Sequence, residues 1–206
     1  MTDTLKASWS SFSKDVASRY LKSFGHPSIQ SKVLLSDVLK SLCARPMKLV
    51  DLGCGNANLA EFLKENGLDF AYCGVDFSET LLQAAREAFP AGQFVCDDVN
   101  SLENVPMGFD VAVYSHVIEM LPSPESSLLA AKRIANKVVI RFFEPPDERA
   151  DWVELLEMDV GGPVKVPYLR RKMSMDNYQL ILSKLLCSRV DVYRTSDKDQ
   201  VHVLHF

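Results

Sequence analysis

Short apolar runs alternate with amphipathic segments through the middle of this chain, and no other feature constrains its fold as strongly. The runs are too short for most helices and rich in β-branched and aromatic residues, as buried strands are. They lie at 47–52, 70–76, 93–97, 109–115 and 137–143. The segments at 56–66, 78–89 and 123–136 carry leucine and alanine at helical spacing. Because alternating strands and helices form a parallel sheet covered on both faces, we predict a doubly wound α/β fold.

The end of the chain breaks this alternation. A helical stretch at 175–186 precedes strand-like runs at 188–194 and 200–206, which are separated by the turn-rich sequence Thr-Ser-Asp-Lys-Asp. Two strands joined by a short turn form a hairpin. The last strand should therefore be antiparallel.

Composition narrows the class of protein and of partner. The 206 residues are 47% hydrophobic and 24% charged, as in an ordinary soluble enzyme or binding domain. The formal net charge of -4 argues against a basic surface for nucleic acid, because that binding depends on clustered Lys and Arg. We expect a small or neutral partner and no membrane association, and we leave the choice between monomer and homodimer open.

The cysteines and the N-terminal sequence suggest a reducing compartment. The five cysteines are widely spaced and include no C-x-x-C pair, so we expect reduced thiols and no metal site. The first residues lack the basic start and apolar run of a signal peptide. We therefore expect a cytoplasmic protein.

A glycine turn follows the first strand and leads directly into a helix. Gly53 and Gly55 allow a tight turn and close approach of a ligand to the backbone. Asn58 stands where a dinucleotide-binding turn has its third glycine, and the Asp51 carboxylate would repel phosphates. A ligand with an ammonium and a sulfonium group would instead be attracted by Asp51.

Two further acids follow the next two strands. Asp76 ends the second strand 21 residues after Gly55, where an acid can accept hydrogen bonds from ribose hydroxyls. Asp98 follows the third strand and could accept from an adenine amino group. Each could also be an ordinary turn residue or helix cap. Ligands in open α/β sheets bind beyond the carboxyl ends of the strands, where all three acids fall.

In these motifs the chain resembles the class I S-adenosylmethionine-dependent methyltransferases. Four segments match the family's motifs in order: Val-Asp-Leu-Gly-Cys-Gly at 50–55, Gly-Val-Asp-Phe-Ser at 74–78, Phe-Val-Cys-Asp-Asp-Val at 94–99, and the fourth-strand segment at 109–121. The resemblance spans residues 29 to 206. It implies a Rossmann-like, mostly parallel seven-stranded sheet with the last strand inserted antiparallel beside the fifth.

The resemblance also implies roles for individual residues. Gly53 and Gly55 would face the methionine portion of S-adenosyl-L-methionine and Asp76 its ribose. Phe77 would cover the adenine face, and Asp98 with the Val99 amide would meet the adenine edge. The cofactor-binding set that we predict is Asp51, Gly53, Cys54, Gly55, Asn58, Asp76, Phe77, Asp98, Val99 and Ser115.

The methyl acceptor should lie near the end of the fourth strand. Methyl transfer from a sulfonium is an in-line displacement that requires alignment and, for a hydroxyl or amine acceptor, a base. His116, Glu119 and Tyr114 are the predicted catalytic residues. His116 is the first candidate for the base because its pKa suits neutral pH, although it could equally pack on the cofactor or cap the next helix. Glu119 could bind a substrate amine or be a solvated helix charge.

A second group of candidates lies further along the chain. Glu144 ends the fifth strand, and Tyr168, Arg170 and Arg171 belong to the long connection at 145–173. We predict that these residues bind substrate, with a loop acid or a solvated basic loop as the alternative. We interpret this connection as a lid, because long loops in compact domains are usually functional or disordered.

We expect a single domain built from four parts. Residues 1–45 are predicted cap helices, with Trp9, Phe12, Val16 and Tyr20 on one stripe. The cofactor-binding core takes 46–144, the substrate lid 145–173, and the closing helix and hairpin 174–206.

The predicted function is transfer of a methyl group to a nitrogen or oxygen of a small-molecule acceptor, with S-adenosyl-L-homocysteine as product. A base-modifying enzyme of this fold would carry an Asn/Asp-Pro-Pro-Tyr/Phe turn where residues 114–117 read Tyr-Ser-His-Val. The alternatives are a non-catalytic cofactor-binding partner subunit and a methyltransferase for protein or nucleic acid. A nucleotide-dependent oxidoreductase is opposed by Asn58.

Overall fold

Five parallel strands form the centre of the main sheet in the computed structural model, which describes residues 29–42, 46–121, 123–145, 149–159, 165–196 and 198–206. These strands are β1 (Met47–Leu52), β2 (Phe70–Asp76), β3 (Gln93–Cys96), β4 (Phe109–Ser115) and β5 (Ala135–Phe143). β1 lies between β2 and β4, with β3 and β5 outside them. The strands that follow β1 are added first on one side of it, as β2 and β3, and then on the other side, as β4 and β5. A crevice therefore opens between the carboxyl ends of β1 and β4.

Two antiparallel hairpins complete the strand structure. β6 (Trp152–Asp159) and β7 (Lys165–Lys172) form a separate two-stranded sheet within the long connection, which we predicted as a lid without predicting a hairpin in it. β8 (Arg189–Arg194) and β9 (Asp199–His205) form the closing hairpin, and β9 inserts antiparallel between β5 and β8. The predicted seven-stranded sheet with its antiparallel closing hairpin is thus confirmed.

Five helices and one short turn of 3-10 helix cover the main sheet within the described ranges. They are α1 (Gln30–Leu42), α2 (Asn58–Glu65), α3 (Glu79–Ala88), the 3-10 turn Ile118–Met120, α4 (Pro124–Ile134) and α5 (Met175–Leu185). Ser78 is the N-cap of α3, and its hydroxyl accepts a hydrogen bond from the Leu81 amide at 3.4 Å. Ser123 precedes α4, but its hydroxyl lies 3.1 Å from that of Ser126 and makes no hydrogen bond to the backbone of the first turn.

The helices divide between the two faces of the sheet. Leu35 of α1, Leu63 of α2 and Leu82 of α3 pack on one face, together with Leu49 and Val113 of the sheet. Leu128 of α4 and Tyr178 of α5 pack on the other, with Tyr114 and Ile140. Successive side chains of a strand point to opposite faces, so the position of each residue in its strand decides which group of helices it meets.

Some predictions fall partly outside the described residues. α1 is a helix within the region 1–45 that we predicted to form cap helices, whereas the stripe of Trp9, Phe12, Val16 and Tyr20 lies outside the described residues. Cys54, Cys73, Cys96 and Cys187 are free thiols, and Cys43 also lies outside the described ranges. None of the helices in the described segments is both long and apolar enough to cross a membrane.

Candidate active site

The glycine turn joins β1 to α2 at the carboxyl edge of the sheet. The amides of Gly53 and Cys54 both donate to the Val75 carbonyl, at 2.8 and 3.0 Å, which pins the turn against the end of β2. Gly53 has a φ of +80° and Gly55 a φ of +55°. A Cβ on Gly53 would come within 2.6 Å of a methyl carbon of Val117, so both the backbone and the space require glycine there.

Asp76 ties this turn to the start of α3. Its Oδ2 accepts from the Gly55 amide at 3.0 Å and its Oδ1 from the Ser78 amide at 2.9 Å. Burial raises the pKa of Asp76, and these backbone hydrogen bonds oppose the rise. The carboxylate that the sequence assigned to ribose is therefore preorganised beside the glycine turn.

Asp51 is a buried carboxylate on the same face of β1 as Leu49, the face whose hydrophobic cluster includes residues of α1 and α2. The Tyr72 hydroxyl donates to its Oδ2 at 2.8 Å. Burial raises the pKa of Asp51 to about 7, against the hydrogen bond from Tyr72. A buried carboxyl group in this state gains most from a nearby cation, which fits the predicted ammonium contact.

Lys32 is a buried cation beside the predicted cofactor site, and sequence reasoning missed it. Its side chain is 1% exposed, and its Nζ donates to the Asn58 side-chain oxygen at 3.1 Å and lies 4.8 Å from the centre of the Phe62 ring. Burial and the charge of Arg141 lower the pKa of Lys32 to about 8, while Asp51 opposes the fall. The sequence did indicate that Lys32 would be buried, because its spacing places it on the same helical face as Leu35 and Leu39.

The residues predicted to meet adenine follow the ends of β2 and β3. Asp98 Oδ1 accepts from the Asn100 backbone amide at 2.9 Å and from its side-chain amide at 2.8 Å. The Val99 carbonyl accepts from the Ser127 hydroxyl at 2.7 Å, which fixes the loop to α4. Phe77 is half-buried directly after Asp76. These residues lie at the successive strand ends that we predicted, beside β2.

The remaining predicted cofactor residues face the same layer as α1 and α2. Cys54 is buried, and a Cβ on Gly74 would lie 2.8 Å from its sulfur. Asn58 begins α2, and its side-chain amide donates to Asn56 Oδ1 at 3.1 Å. The Ser115 hydroxyl accepts from Arg141 Nη1 at 2.8 Å. This hydrogen bond links Ser115, at the end of β4, to the neighbouring strand β5.

The predicted acceptor side contains His116 and Glu119, and the structure places these two side chains next to each other. The His116 ring nitrogens lie 3.0 Å from Glu119 Oε1 and 3.1 Å from Asp199 Oδ2. Burial would lower the pKa of His116, but the hydrogen bonds to Asp199 and Glu119 outweigh it and raise that pKa above its usual value. Asp199 was not foreseen, because only the antiparallel insertion of β9 brings it to this edge.

Glu119 lies in the 3-10 turn after β4 with its side chain 1% exposed. Its Oε1 accepts from the Phe143 amide at 2.8 Å in addition to facing His116. Its Oε2 is buried and has no hydrogen-bond partner among the residues that the structure describes. A buried carboxylate oxygen without a partner is costly, so a ligand donor there would stabilise it.

Tyr114 lies away from this group. It points to the opposite face of the sheet from Ser115, and its hydroxyl donates to the Ser127 carbonyl at 2.9 Å beneath α4. The side chain is fully buried, and burial raises its pKa well above the usual value. This position corrects the prediction that Tyr114 is catalytic and gives it a packing role.

The predicted substrate residues are spread over the rim of the site. Glu144 is exposed after β5, and its carboxylate accepts from Gln200 at 2.9 Å. Arg171 is half-buried on β7, donates to the Leu121 carbonyl and lies 3.7 Å from Asp151 Oδ2. Tyr168 and Arg170 pair with Leu156 and Glu154 in the β6–β7 hairpin, and their side chains lie outside the described residues.

No group of three or more His, Cys, Asp or Glu side chains in the described segments could hold a metal ion. The backbone of the glycine turn and the carboxylates of Asp51 and Asp76 suit an organic cation that carries a nucleoside.

Comparisons with known proteins agree with this site. Residues 50–138 match the family model described as a methyltransferase domain. The chain is 32% identical over 186 residues to trans-aconitate 2-methyltransferase of Rhodopseudomonas palustris, covering 87% of this chain and 71% of the relative. It is 32% identical over 101 residues to ubiquinone biosynthesis O-methyltransferase of an Azoarcus species, and that match spans 47% of this chain and 42% of the relative.

A solved structure shows the same fold. The crystal structure of DesVI from Streptomyces venezuelae matches with a TM-score of 0.65 at 15% identity, covering 85% of this chain and 90% of that one. The chain belongs to the class I S-adenosylmethionine-dependent methyltransferases. It is accordingly an enzyme of methyl transfer whose cofactor is S-adenosylmethionine.

Proposed function

We propose that this protein transfers a methyl group from S-adenosylmethionine to an oxygen or nitrogen of a small-molecule acceptor, whose O–H or N–H donates to Glu119. The observation that carries the proposal is the buried Oε2 of Glu119, for which the described part of the chain supplies no hydrogen-bond donor. A hydroxyl or amine of the acceptor would satisfy this oxygen. An ionised carboxylate would be repelled by it.

The cofactor would be held along the carboxyl edge of β1, β2 and β3. Asp51 would face its ammonium group and Lys32 its carboxylate, because these are the buried opposite charges beside the glycine turn. Asp76 would accept from the ribose hydroxyls. Phe77, Asp98 and Val99 would meet the adenine. In this arrangement the open end of the site faces β4 and β5.

The sulfonium supplies an already activated methyl group, so the chain has mainly to align the acceptor and accept a proton. Glu119 Oε2 would take the proton that the acceptor nitrogen or oxygen loses as its new bond to carbon forms. His116 would hold Oε1 and so keep Oε2 directed at the acceptor. The residues beside β4 therefore have a proton-accepting role and a positioning role.

The β6–β7 hairpin would serve as the lid predicted for residues 145–173. Arg171 of β7 donates to the Leu121 carbonyl, directly after the 3-10 turn that carries Glu119. The hairpin is thus anchored beside the proposed acceptor position. Trp152, Val153 and Leu155 leave much of its β6 strand apolar and exposed.

A labelled-cofactor screen tests the proposal. The protein would be incubated with methyl-labelled S-adenosylmethionine and two panels of compounds: hydroxyl and amine acceptors, including polyphenols, and polycarboxylates, including trans-aconitate. We expect products one methyl group heavier from the first panel. Preferential methylation of the polycarboxylates would contradict the role given to Glu119, and the absence of product from both panels would contradict a small-molecule acceptor of these classes.

A matched pair of variants tests the residue itself. Glu119→Gln removes the proton acceptor, and we expect turnover to fall about a hundredfold or more with unchanged cofactor affinity. Glu125→Gln is the control, since Glu125 forms an exposed ion pair with Lys184 at 2.7 Å on α4. Equal activity of the two variants would overturn the assignment.

A further inference from the structure

His116 is held between two carboxylates from distant parts of the chain. Its Nδ1 faces Glu119 Oε1 at 3.0 Å and its Nε2 faces Asp199 Oδ2 at 3.1 Å. A neutral imidazole has a single N–H and can donate to only one of these oxygens, whereas an imidazolium donates to both. The geometry therefore suits the charged ring.

Asp199 is fixed independently of His116. The Ser31 hydroxyl of α1 donates to Asp199 Oδ2 at 2.6 Å, and Arg141 Nη2 of β5 lies 3.9 Å from the same oxygen. Ser31 also accepts from Arg141 Nε at 2.9 Å, which closes a three-membered network. Asp199 stands opposite Phe143 in the β5–β9 register, at the end of β5 nearest the site.

The backbone of His116 restricts the ring as well. Its φ is +55°, a left-handed conformation that is uncommon for a residue with a side chain. The His116 amide donates to the Arg141 carbonyl at 2.8 Å, and the ring lies 4.6 Å from that of Phe143. Such strain persists only where surrounding contacts hold it, and it is concentrated at functional sites.

The charges of this cluster balance. The groups that face His116 are Glu119 from the 3-10 turn, Asp199 from β9 and Arg141 from β5. Two negative carboxylates thus meet a guanidinium and an imidazolium, which is a condition for burying them together. Burial would raise the pKa of Asp199, but the hydrogen bonds from His116 and Ser31 and the charges of His116 and Arg141 hold it below its usual value.

We infer that Asp199 is a positioning residue for His116: together with Glu119 it holds the ring as a doubly donating imidazolium at the acceptor edge. The ring then donates to Glu119 Oε1 and leaves Oε2 for the acceptor. When the ring loses its proton, one carboxylate loses its donor and Glu119 is no longer fixed. The link to the acceptor rests on the proposed function, but the protonation of the ring does not.

Nuclear magnetic resonance titration of the protein without cofactor tests the inference. Histidine labelled with carbon-13 and nitrogen-15 reports the state of each ring, and a His116→Asn variant assigns the His116 signals. In Asp199→Asn we expect the proton affinity of His116 to fall by about tenfold or more, because a hydrogen-bonded opposite charge is removed. An unchanged titration would overturn the inference.

The hairpin offers a matched control. Asp191 Oδ2 lies 2.9 Å from His205 Nε2 at the far end of β8 and β9. Asp191→Asn removes a carboxylate that lies beside a histidine of the same hairpin, and it should leave the titration of His116 unchanged. A shift of His116 in both variants would show a general electrostatic effect and would also overturn the inference.

A measurement on the unmodified chain removes the dependence on a variant that could fail to fold. The carboxyl carbon of Asp199 should shift at the pH where the His116 ring titrates, because the two groups share one proton-dependent hydrogen bond. The absence of such a response would contradict the pairing.

If a methyl acceptor has been found, the pH dependence of kcat/KM provides a second readout. We expect the limb that reports His116 to move to lower pH in Asp199→Asn, which a purely structural loss would not produce. A lower rate with an unmoved pH profile would overturn the positioning role. Failure to find any acceptor would count against the proposed function and leave the ring titration as the deciding result.

Discussion

The Tyr72 hydroxyl donates a hydrogen bond of 2.8 Å to the Asp51 carboxylate across the first two strands of the sheet. The two side chains lie on the same face, because Asp51 pairs with Gly74 and Tyr72 with Leu49 in the parallel register. Tyr72 thereby supplies a neutral donor to a buried acid whose pKa burial raises to about 7. The acid remains suited to a cationic ligand at the point where β1 ends.

Cofactor binding should therefore release protons. A carboxyl group with a pKa of about 7 is half protonated at neutral pH, and an ammonium beside it lowers that pKa. Affinity for S-adenosylmethionine should rise as the pH increases from 6 to 7, by this linkage, because Lys32, whose pKa is about 8, stays mostly charged over that range. Calorimetry at pH 7 in two buffers of different ionisation enthalpy should show release of about half a proton, by the same linkage. Equal proton release by Asp51→Asn would contradict the assignment to Asp51.

Replacing Lys32 should separate binding from stability. In Lys32→Met we expect cofactor affinity to fall about tenfold or more, because a charge-assisted hydrogen bond to the cofactor carboxylate is lost. The free energy of unfolding should be unchanged or higher, since a buried charge is replaced by an apolar chain of similar length. Calorimetry and urea unfolding measure the two quantities. Lys40→Met, on an exposed turn of the same helix, is the control, and equal affinities of the two variants would argue against this role.

Asp76→Ala should weaken cofactor binding by about 1–3 kcal/mol, because the ribose hydroxyls and two backbone amides lose their acceptor. Asp69→Ala provides the comparison, since Asp69 is exposed just before β2 at the opposite edge of the sheet. Calorimetric titration with S-adenosylmethionine gives both affinities. A folded Asp76→Ala protein that binds as tightly as Asp69→Ala would show that the ribose assignment is wrong.

The glycine turn offers a test of steric need. Gly53 and Gly67 have nearly the same φ, +80° and +79°, but a Cβ would meet Val117 only at Gly53 and finds open space at Gly67. Gly53→Ala should therefore be more destabilising than Gly67→Ala by about 1–3 kcal/mol, the usual cost of overpacking. Urea unfolding compares the two. Equal losses would mean that Val117 moves aside without cost.

His202 should make the protein less stable in mild acid. Burial and Arg194 lower its pKa to about 4, while its ring accepts from the Tyr178 hydroxyl at 2.7 Å. Between its unfolded pKa near 6.5 and this folded value, only the unfolded chain binds the proton, so stability falls as the pH falls.

The change from pH 7 to pH 5 is worth about 2 kcal/mol for this residue. His116 acts in the opposite direction, because its raised pKa favours the folded state at low pH and loses that effect as the pH rises. The contribution of His202 is measured by comparing the free energy of unfolding of wild type and His202→Asn at the two pH values. The free energy of unfolding of the variant should fall less on going to pH 5. The same acid sensitivity in both proteins would contradict it.

Periodicity carries most of the fold in this chain. The runs at 47–52, 70–76 and 109–115 coincide with β1, β2 and β4 because each is apolar, short and bounded by turn residues. The connection 145–173 was predicted only as a lid, and the hairpin that it contains at 152–172 was not predicted. Its strands contain glutamate, lysine and arginine between the apolar residues, so no buried run marks them.

Part of the site could also be predicted from local sequence. Gly53, Gly55 and Asp76 lie together as expected, since a turn and a strand end are defined by neighbouring residues. Tyr114 shows the limit: it is adjacent to Ser115 but faces α4, and the alternation of a strand could have indicated this.

The sequence by itself determined the doubly wound sheet, the glycine turn and the acids at its strand ends, because these depend on local periodicity and on residues a few positions apart. Only the tertiary structure decided that Lys32 faces Asn58 and that Asp199 meets His116. These pairs are 26 and 83 residues apart, and they form because α1 packs over β5 and β9 and because β9 inserts antiparallel beside β5. Long-range pairing of this kind leaves no local pattern, since it depends on which face and which edge each element finally occupies.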